Sequence, residues 1–257
     1  TAVFTSKGVL QTSFTDGVVN KNLSAMGLVK FDVLGLATLN IIAEACKIIA
    51  ERHGMTYDEA LTLVDPKKMD LNDQKIMKTV FNDGNMTGVF QMTSHGMRKM
   101  VQRIKPDCFE DVAACGALYR PGPLGSGMDK LYAVNKQKAA DGELEYDHPL
   151  LEGILKDTYG CFVYQEYILE LGRKLGELSW KDTNRLRKLF LKRTKDAAGK
   201  RDTEADELKE KLTAGFIRNG LTKEYAAKTW KDLEKWASYG FNKAHAKAYG
   251  MVTMQTA

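Results

Sequence analysis

From Leu39 onward, apolar residues recur three or four positions apart, which is the repeat of an amphipathic α-helix. Leu39, Ile42, Cys46 and Ile49 would share one face of a first helix that ends near His53. The chain is therefore predicted to be mainly α-helical. The same repeat predicts further helices over 73–82, 94–104, 109–118, 127–139, 148–156, 165–176, 180–193, 203–219, 223–238 and 242–256.

Segments outside this repeat are few. Strands are expected only in the opening segment, at 28–34 and at 161–164, where apolar and β-branched residues form short runs. Pro121 and Pro123 are expected to bar a regular helix, because proline fixes φ and lacks an N–H donor. The lysine-rich stretch 195–206 is expected to form a loop.

Composition excludes several classes of protein. The 257 residues contain no apolar run near the ~20 needed to cross a bilayer, so we expect neither a membrane protein nor an exported one. We expect free thiols in a reducing compartment, because the four cysteines form no CxxC pair or Cys/His cluster. No Walker loop, HExxH or GxSxG pattern occurs. The cysteines are Cys46, Cys108, Cys115 and Cys161.

Positive charge is concentrated in the last third of the chain. Residues 171–257 hold 20 Lys and Arg against 11 Asp and Glu, although the whole chain carries a formal charge of only +5. A basic region on a mildly acidic body is typical of a surface that contacts a polyanion, although many basic faces are simply solvated.

Asp32 is unusual because it lies between Phe31 and Val33 in an apolar run. A carboxylate in a buried strand is costly unless a cation satisfies it. Lys30 would project from the same face, so one interpretation is a simple Lys–Asp pair or an edge strand in water. The other is a metal-ligating aspartate beside a phosphate-facing lysine, which would need further ligands from elsewhere.

Three other segments carry cations in settings that suit phosphate. Arg120 precedes a Pro- and Gly-rich turn, where it could be either a rigid phosphate ligand or a surface arginine. Stretch 185–201 has eight cations against one acid, which favours phosphate contact over a solvated face. Stretch 239–249 interleaves aromatic rings with Lys243 and Lys247, a pattern typical of base stacking. His245, taken alone, would more often be a packing residue.

Five segments, in order along the chain, resemble the replicative DNA polymerase III alpha subunits of bacteria and phages, which form the C family of DNA polymerases. They are GLVKFDVLGL at 27–36, FQMTSHGM at 90–97, KPDCFEDVAACGALYRPGPLGSGM at 105–128, TYGCFVYQE at 158–166 and YGFNKAHAKAYGMVTMQTA at 239–257. The resemblance covers nearly the whole chain but only the middle of such a polymerase. Both ends of the chain are therefore expected to lie inside a longer polypeptide.

The resemblance implies a fold and a metal site. Residues 1–37 would be the C-terminal part of a palm resembling polymerase beta, a small β-containing remnant. Residues 38–257 would be a multi-helix fingers domain, basic from about 171 onward. In this family three aspartates hold two Mg²⁺ ions, and Asp32 matches the third of them, with Lys30 beside the active site.

The resemblance also implies a nucleotide or DNA site on the fingers. Arg120 matches a fingers loop near the incoming nucleotide, and LRKLFLKR resembles a basic helix at the triphosphate. FNKAHAKAY resembles a segment near the nucleotide or template. The residues so implicated are Arg120, Arg187, Lys188, Lys192, Arg193, Lys243 and His245.

The implied activity is two-metal transfer of dNTPs to a primer 3′-hydroxyl by a DNA-directed DNA polymerase. The family's PDxDxDF motif does not occur in this sequence, so the chain alone is expected to be inactive. Expected partners are primer–template DNA, dNTPs, the remaining palm and thumb, and the sliding clamp and other replisome subunits through regions outside this sequence. The expected location is the cytoplasm of a bacterial or phage-infected cell, in association with the nucleoid.

Two alternatives remain open at this point. The chain could be a non-catalytic nucleic-acid-binding fingers module that lacks the rest of the active site. It could also be a basic helical scaffold for other replication proteins.

Overall fold

A computed structural model describes residues 3–6, 8–12, 22–28, 35–191, 198–236 and 239–257. The chain divides into two compact units, Thr1–Glu44 and Ala45–Ala257. Among the described residues, helices predominate, which confirms the mainly α-helical prediction. None of these helices combines the length and the apolar character needed to cross a membrane.

The first unit contains a β-hairpin. Strand β1 (Val3–Ser6) pairs antiparallel with β2 (Val9–Thr12), so that Val3 lies opposite Thr12 and Ser6 opposite Val9. Gly8 lies in the connecting turn with φ of 79°, a conformation that glycine adopts without steric cost. The strand predicted in the opening segment is therefore present. Most of the strand predicted at 28–34 lies outside the described residues.

Helices follow one another along the described parts of the chain. They are α1 (Asn22–Ala25), α2 (Ala37–His53), α3 (Tyr57–Leu63), α4 (Gln74–Ile76) continued by a π-helical turn (Met77–Asn82), α5 (His95–Ile104), α6 (Phe109–Leu118), α7 (Pro121–Ser126), α8 (Met128–Ala140), α9 (Pro149–Leu155) with a 3-10 turn (Lys156–Thr158), α10 (Glu166–Lys174), α11 (Trp180–Leu191), α12 (Ala198–Arg218), α13 (Lys223–Trp236) and α14 (Lys243–Gln255).

Local polar residues fix where several helices begin. Thr56 and Glu59 form a capping box at α3, in which each side chain accepts a backbone N–H of the other residue. The Ser94 hydroxyl accepts the N–H of Met97 and so begins α5 at His95. His148 caps α9, because its Nδ1 accepts the N–H of Leu150 at 3.1 Å.

Three local predictions are wrong. Pro121–Ser126 is a short helix, because Pro121 occupies its first position, where the missing N–H would have had no helical partner anyway. Helix α12 begins at Ala198, so most of the expected loop at 195–206 is helical. The segment 161–164 forms no strand beyond one bridge, between Tyr164 and Phe241.

The core of the second unit is built around α6 and α14. Gly250 lets these two helices approach closely, since a Cβ there would lie 3.2 Å from the Phe109 ring and 3.3 Å from the Ala113 methyl group. Methionine and aromatic side chains fill much of the surrounding core. All four cysteines are free, as predicted, and three of them are buried. This packing fixes the position of α14, which carries two of the candidate site residues.

Candidate functional site

A cavity of about 260 Å³ lies between α6, the start of α7 and α14. Tyr119 and Arg120 line it from the α6–α7 connection, and Phe241, His245 and Tyr249 line it from the segment that leads into and through α14. The cavity thus brings together two segments that are more than a hundred residues apart in sequence. Arg120 and His245 are the two predicted site residues that meet here.

Arg120 is half-buried and tightly held. Its Nε donates to the carbonyl of Ala117 at 2.9 Å, and its Nη2 donates to the carbonyl of Tyr239. The guanidinium also lies over the ring of Phe241, 4.6 Å from the centroid. Burial lowers the pKa of Arg120 from its usual high value. The arginine therefore joins the α6–α7 connection to the segment before α14 and presents a fixed cationic plane to the cavity.

His245 lies at the exposed edge of the cavity, within a group of aromatic rings. Its ring centroid is 5.4 Å from that of Phe241 and 4.0 Å from that of Tyr249. Its backbone N–H donates to the Asn242 side chain, which caps α14. Tyr249 in turn lies 5.3 Å from the Phe90 ring. Flat rings beside a cation are the groups on which a nucleobase stacks.

Lys243 faces a different part of the protein. Its Nζ lies 3.0 Å from the Asp157 carboxylate and over the rings of Tyr164 and Tyr167. Lys243 is not among the described residues that line the cavity. At the start of α14, His245 therefore lines the cavity, whereas Lys243 lies away from it.

Helix α11 carries the first part of the predicted basic stretch 185–201. Lys188 is exposed, while Arg187 is half-buried and its Nη1 donates to the Gln165 side chain at 3.4 Å. Lys192 and Arg193 lie outside the described residues.

Arg185, at the start of this basic stretch, is fully engaged with acidic groups. It forms ion pairs with Asp182, Glu204 and Glu207 at 2.8 to 2.9 Å. Hydrogen bonds from Arg185 and Lys211 lower the pKa of Glu207 to about 2. Acids of α12 thus neutralise part of a stretch whose local sequence suggested an uncompensated positive charge.

Asp32 and Lys30 lie outside the described residues, so their predicted metal and phosphate roles stay predictions. The structure adds residues that the sequence did not single out. Asp157 and Glu166 contact Lys243, and Gln91 lines the cavity with an unusual φ of 62°. Gln91 and Glu166 lie in the family-like motifs at 90–97 and 158–166, so these motifs could have pointed to both residues from the sequence.

Comparison with known proteins shows the family. The sequence model of one protein family, the bacterial DNA polymerase III alpha subunit finger domain, matches residues 38–220. The chain belongs to this family. It is 38% identical over 235 residues to the DNA polymerase III subunit alpha of Aquifex aeolicus, covering 91% of this chain and 19% of that protein. It is equally identical to the Campylobacter jejuni subunit, over 92% of this chain and 18% of that protein. The chain thus spans about a fifth of the length of these relatives.

Proposed function

We propose that this chain forms the fingers of a replicative DNA polymerase and that its cavity receives the incoming dNTP. The observation that carries the proposal is that Arg120 and His245, from separate family-like motifs, line one cavity together with aromatic rings. In this arrangement the base stacks near His245 and Tyr249, and the guanidinium of Arg120 supplies a fixed positive charge.

Basic residues of α11 are proposed to face the triphosphate. Arg187 and Lys188, together with Lys192 and Arg193 outside the described residues, would offset the negative charge of the phosphates. In the reaction the primer 3′-hydroxyl loses its proton and attacks the α-phosphate, and pyrophosphate leaves. The fingers contribute position and charge to this step, and base pairing with the template selects the nucleotide.

The metal site is proposed from the sequence. Mg²⁺ prefers carboxylate oxygens, which suits Asp32, and it would stabilise charge on the reacting phosphate. One carboxylate cannot hold two ions, so acids from outside this chain must complete the site. In this proposal residues 1–37, which include the hairpin, belong to the palm and residues 38–257 to the fingers. The family match over 38–220 supports the second assignment.

Titration of Mg–dTTP into the chain tests the cavity. Replacing His245 by Ala removes a stacking ring and should weaken binding by at least about fivefold. The matched control is His95→Ala, because His95 is also exposed at the start of a helix but does not line the cavity. Equal dissociation constants for both variants and the unmodified chain would contradict the cavity assignment.

Primer extension tests the catalytic part. When the chain is mixed with a polymerase segment that carries the PDxDxDF aspartates, it should extend a primer, and Asp32→Asn should abolish extension. A non-catalytic binding module would instead bind DNA in a salt-dependent way. It would show no extension under any complementation, and Asp32→Asn would change nothing.

A further inference from the structure

Two family-like motifs, at 90–97 and 158–166, supply none of the rings or charges assigned to the nucleotide in the proposed function. Both contact α14, the helix that carries His245 and Tyr249 into the cavity. One motif lies at the start of this helix and the other along its second half. Contacts at these two places suggest that the two motifs together fix the position of α14.

The start of α14 is joined to the 158–166 motif through the backbone. The N–H of Phe241 donates to the carbonyl of Val163 at 3.0 Å, and the N–H of Gln165 donates to the carbonyl of Phe241 at 2.9 Å. Two residues further on, the N–H of Lys243 donates to the Glu166 carboxylate at 3.0 Å. A carboxylate at a helix N-terminus is favourable in two ways, since it accepts a free N–H and complements the helix dipole.

The side chain of Lys243 strengthens the same junction. Its Nζ lies 3.0 Å from the Asp157 carboxylate, and the side chain is only 23% exposed. The ring centroids of Tyr164 and Tyr167 lie 5.6 and 5.2 Å from this nitrogen, so the cation also interacts with two aromatic faces. To reach a phosphate, Lys243 would have to give up all of these contacts.

The second half of α14 is held by Phe90. The Phe90 carbonyl accepts the Thr253 hydroxyl at 3.2 Å, and its N–H donates to the Thr256 hydroxyl at 2.9 Å. Its ring packs against Tyr249 at 5.3 Å. The helix is thus fixed at both ends by chain segments distant in sequence.

We infer that Asp157, Glu166 and Lys243 are positioning residues that hold α14 where His245 and Tyr249 face the nucleotide cavity. This inference rests on the proposed function and deepens it. It assigns Lys243, the first of the two lysines of FNKAHAKAY, a role through His245, in place of direct contact with the triphosphate. The two roles predict different results when the ion pair is broken from either side.

The test is a double-mutant cycle on the full 257-residue chain, with Asp157→Asn, Lys243→Met and the pair combined. Two quantities are measured: the dissociation constant of Mg–dTTP and the NMR signals of the His245 ring. The Phe241 ring, which precedes α14 and lies 5.4 Å from the His245 ring, makes those signals sensitive to the position of α14. The chain has four histidines, so histidine-selective labelling gives a readable spectrum.

For a positioning role, both single variants shift the His245 signals and weaken binding to a similar extent, roughly five- to tenfold, and the double variant is no worse than either. Lys243→Arg keeps the ion pair and should retain the original signals. Its result shows whether the shifts in Lys243→Met come from loss of the ion pair or from a failure to fold. The control is Lys174→Met, which breaks an exposed ion pair with Glu170 and should change neither quantity.

A direct phosphate contact gives the opposite pattern and would overturn the inference. Lys243→Met alone would then weaken binding, Asp157→Asn would not, and the His245 signals would stay in place. If the unmodified chain does not bind dTTP but the signals shift as described, the proposed function fails and the positioning role stands. Unchanged signals in both single variants refute the positioning role whatever the affinity.

Discussion

Lys136 shows how much a single buried charge contributes to this fold. It is 8% exposed, and its Nζ contacts the fully buried carboxylate of Asp111 as well as Asp107 at 3.1 Å. It also donates to the carbonyl of Lys105 at 2.6 Å, at the left-handed end of α5. Lys136→Met should lower the free energy of unfolding by about 3–5 kcal/mol, because it leaves the Asp111 carboxylate buried without its cation. Urea unfolding measures this loss.

Lys138 provides the matched control for that prediction. It lies two residues further along α8 and is exposed, so Lys138→Met should change the stability by less than about 0.5 kcal/mol. Similar stabilities for the two variants would mean that Asp111 is satisfied by Tyr132 and the backbone alone. Sequence could not identify this pair, because Asp111 and Lys136 are 25 positions apart and the family-like motif at 105–128 contains only the first of them.

At the scale of elements, α7 depends on close contact with the segment before α14. A Cβ on Gly122 would collide with the Tyr239 ring, whereas a Cβ on Gly125 in the same short helix would meet nothing within 4 Å. Gly122→Ala should therefore destabilise the protein by about 1–3 kcal/mol, and Gly125→Ala should be neutral or slightly stabilising. Thermal or urea unfolding of the two variants checks this. Equal effects would show that Tyr239 moves aside freely.

A second measurement follows from the same contact. Tyr239 also supplies the carbonyl that binds Arg120, so its displacement in Gly122→Ala should disturb the cavity. The variant should weaken Mg–dTTP binding even at temperatures where it is fully folded, while Gly125→Ala should not. Unchanged affinity would mean that the contact between Gly122 and Tyr239 stabilises α7 without shaping the cavity.

Elements were predictable where local chemistry decides them. Helices α5 and α9 begin at His95 and Pro149, within one residue of the predicted starts at 94 and 148, and the residue before each start caps the helix. Helix α7 was missed because two prolines near one another suggest a turn, although the first helical turn tolerates both. The partner of Lys243 was missed because Asp157 is 86 positions away, and only the folded chain brings them together.

At the scale of the whole molecule, the core contains thiol and phenol groups that burial keeps neutral at alkaline pH. Burial raises the pKa of Cys161 to about 12, and it also raises the pKa of Cys115, Tyr132 and Tyr164 above their usual values. In the unfolded chain the same thiols ionise near pH 9 and the phenols near pH 10. The two states therefore bind different numbers of protons at alkaline pH.

This difference sets the sign of the pH dependence. Above about pH 9 the unfolded chain releases thiol protons that the folded chain retains, so the free energy of unfolding should fall as pH rises towards 12. Each fully buried thiol contributes a slope that approaches about 1.4 kcal/mol per pH unit. Urea unfolding at pH 7.5, 9 and 10.5 measures the fall, and Cys161→Ala should make it shallower. A stability that stays constant to pH 10.5 would mean that these thiols ionise equally well in the folded chain. That result would contradict their burial in the helical core.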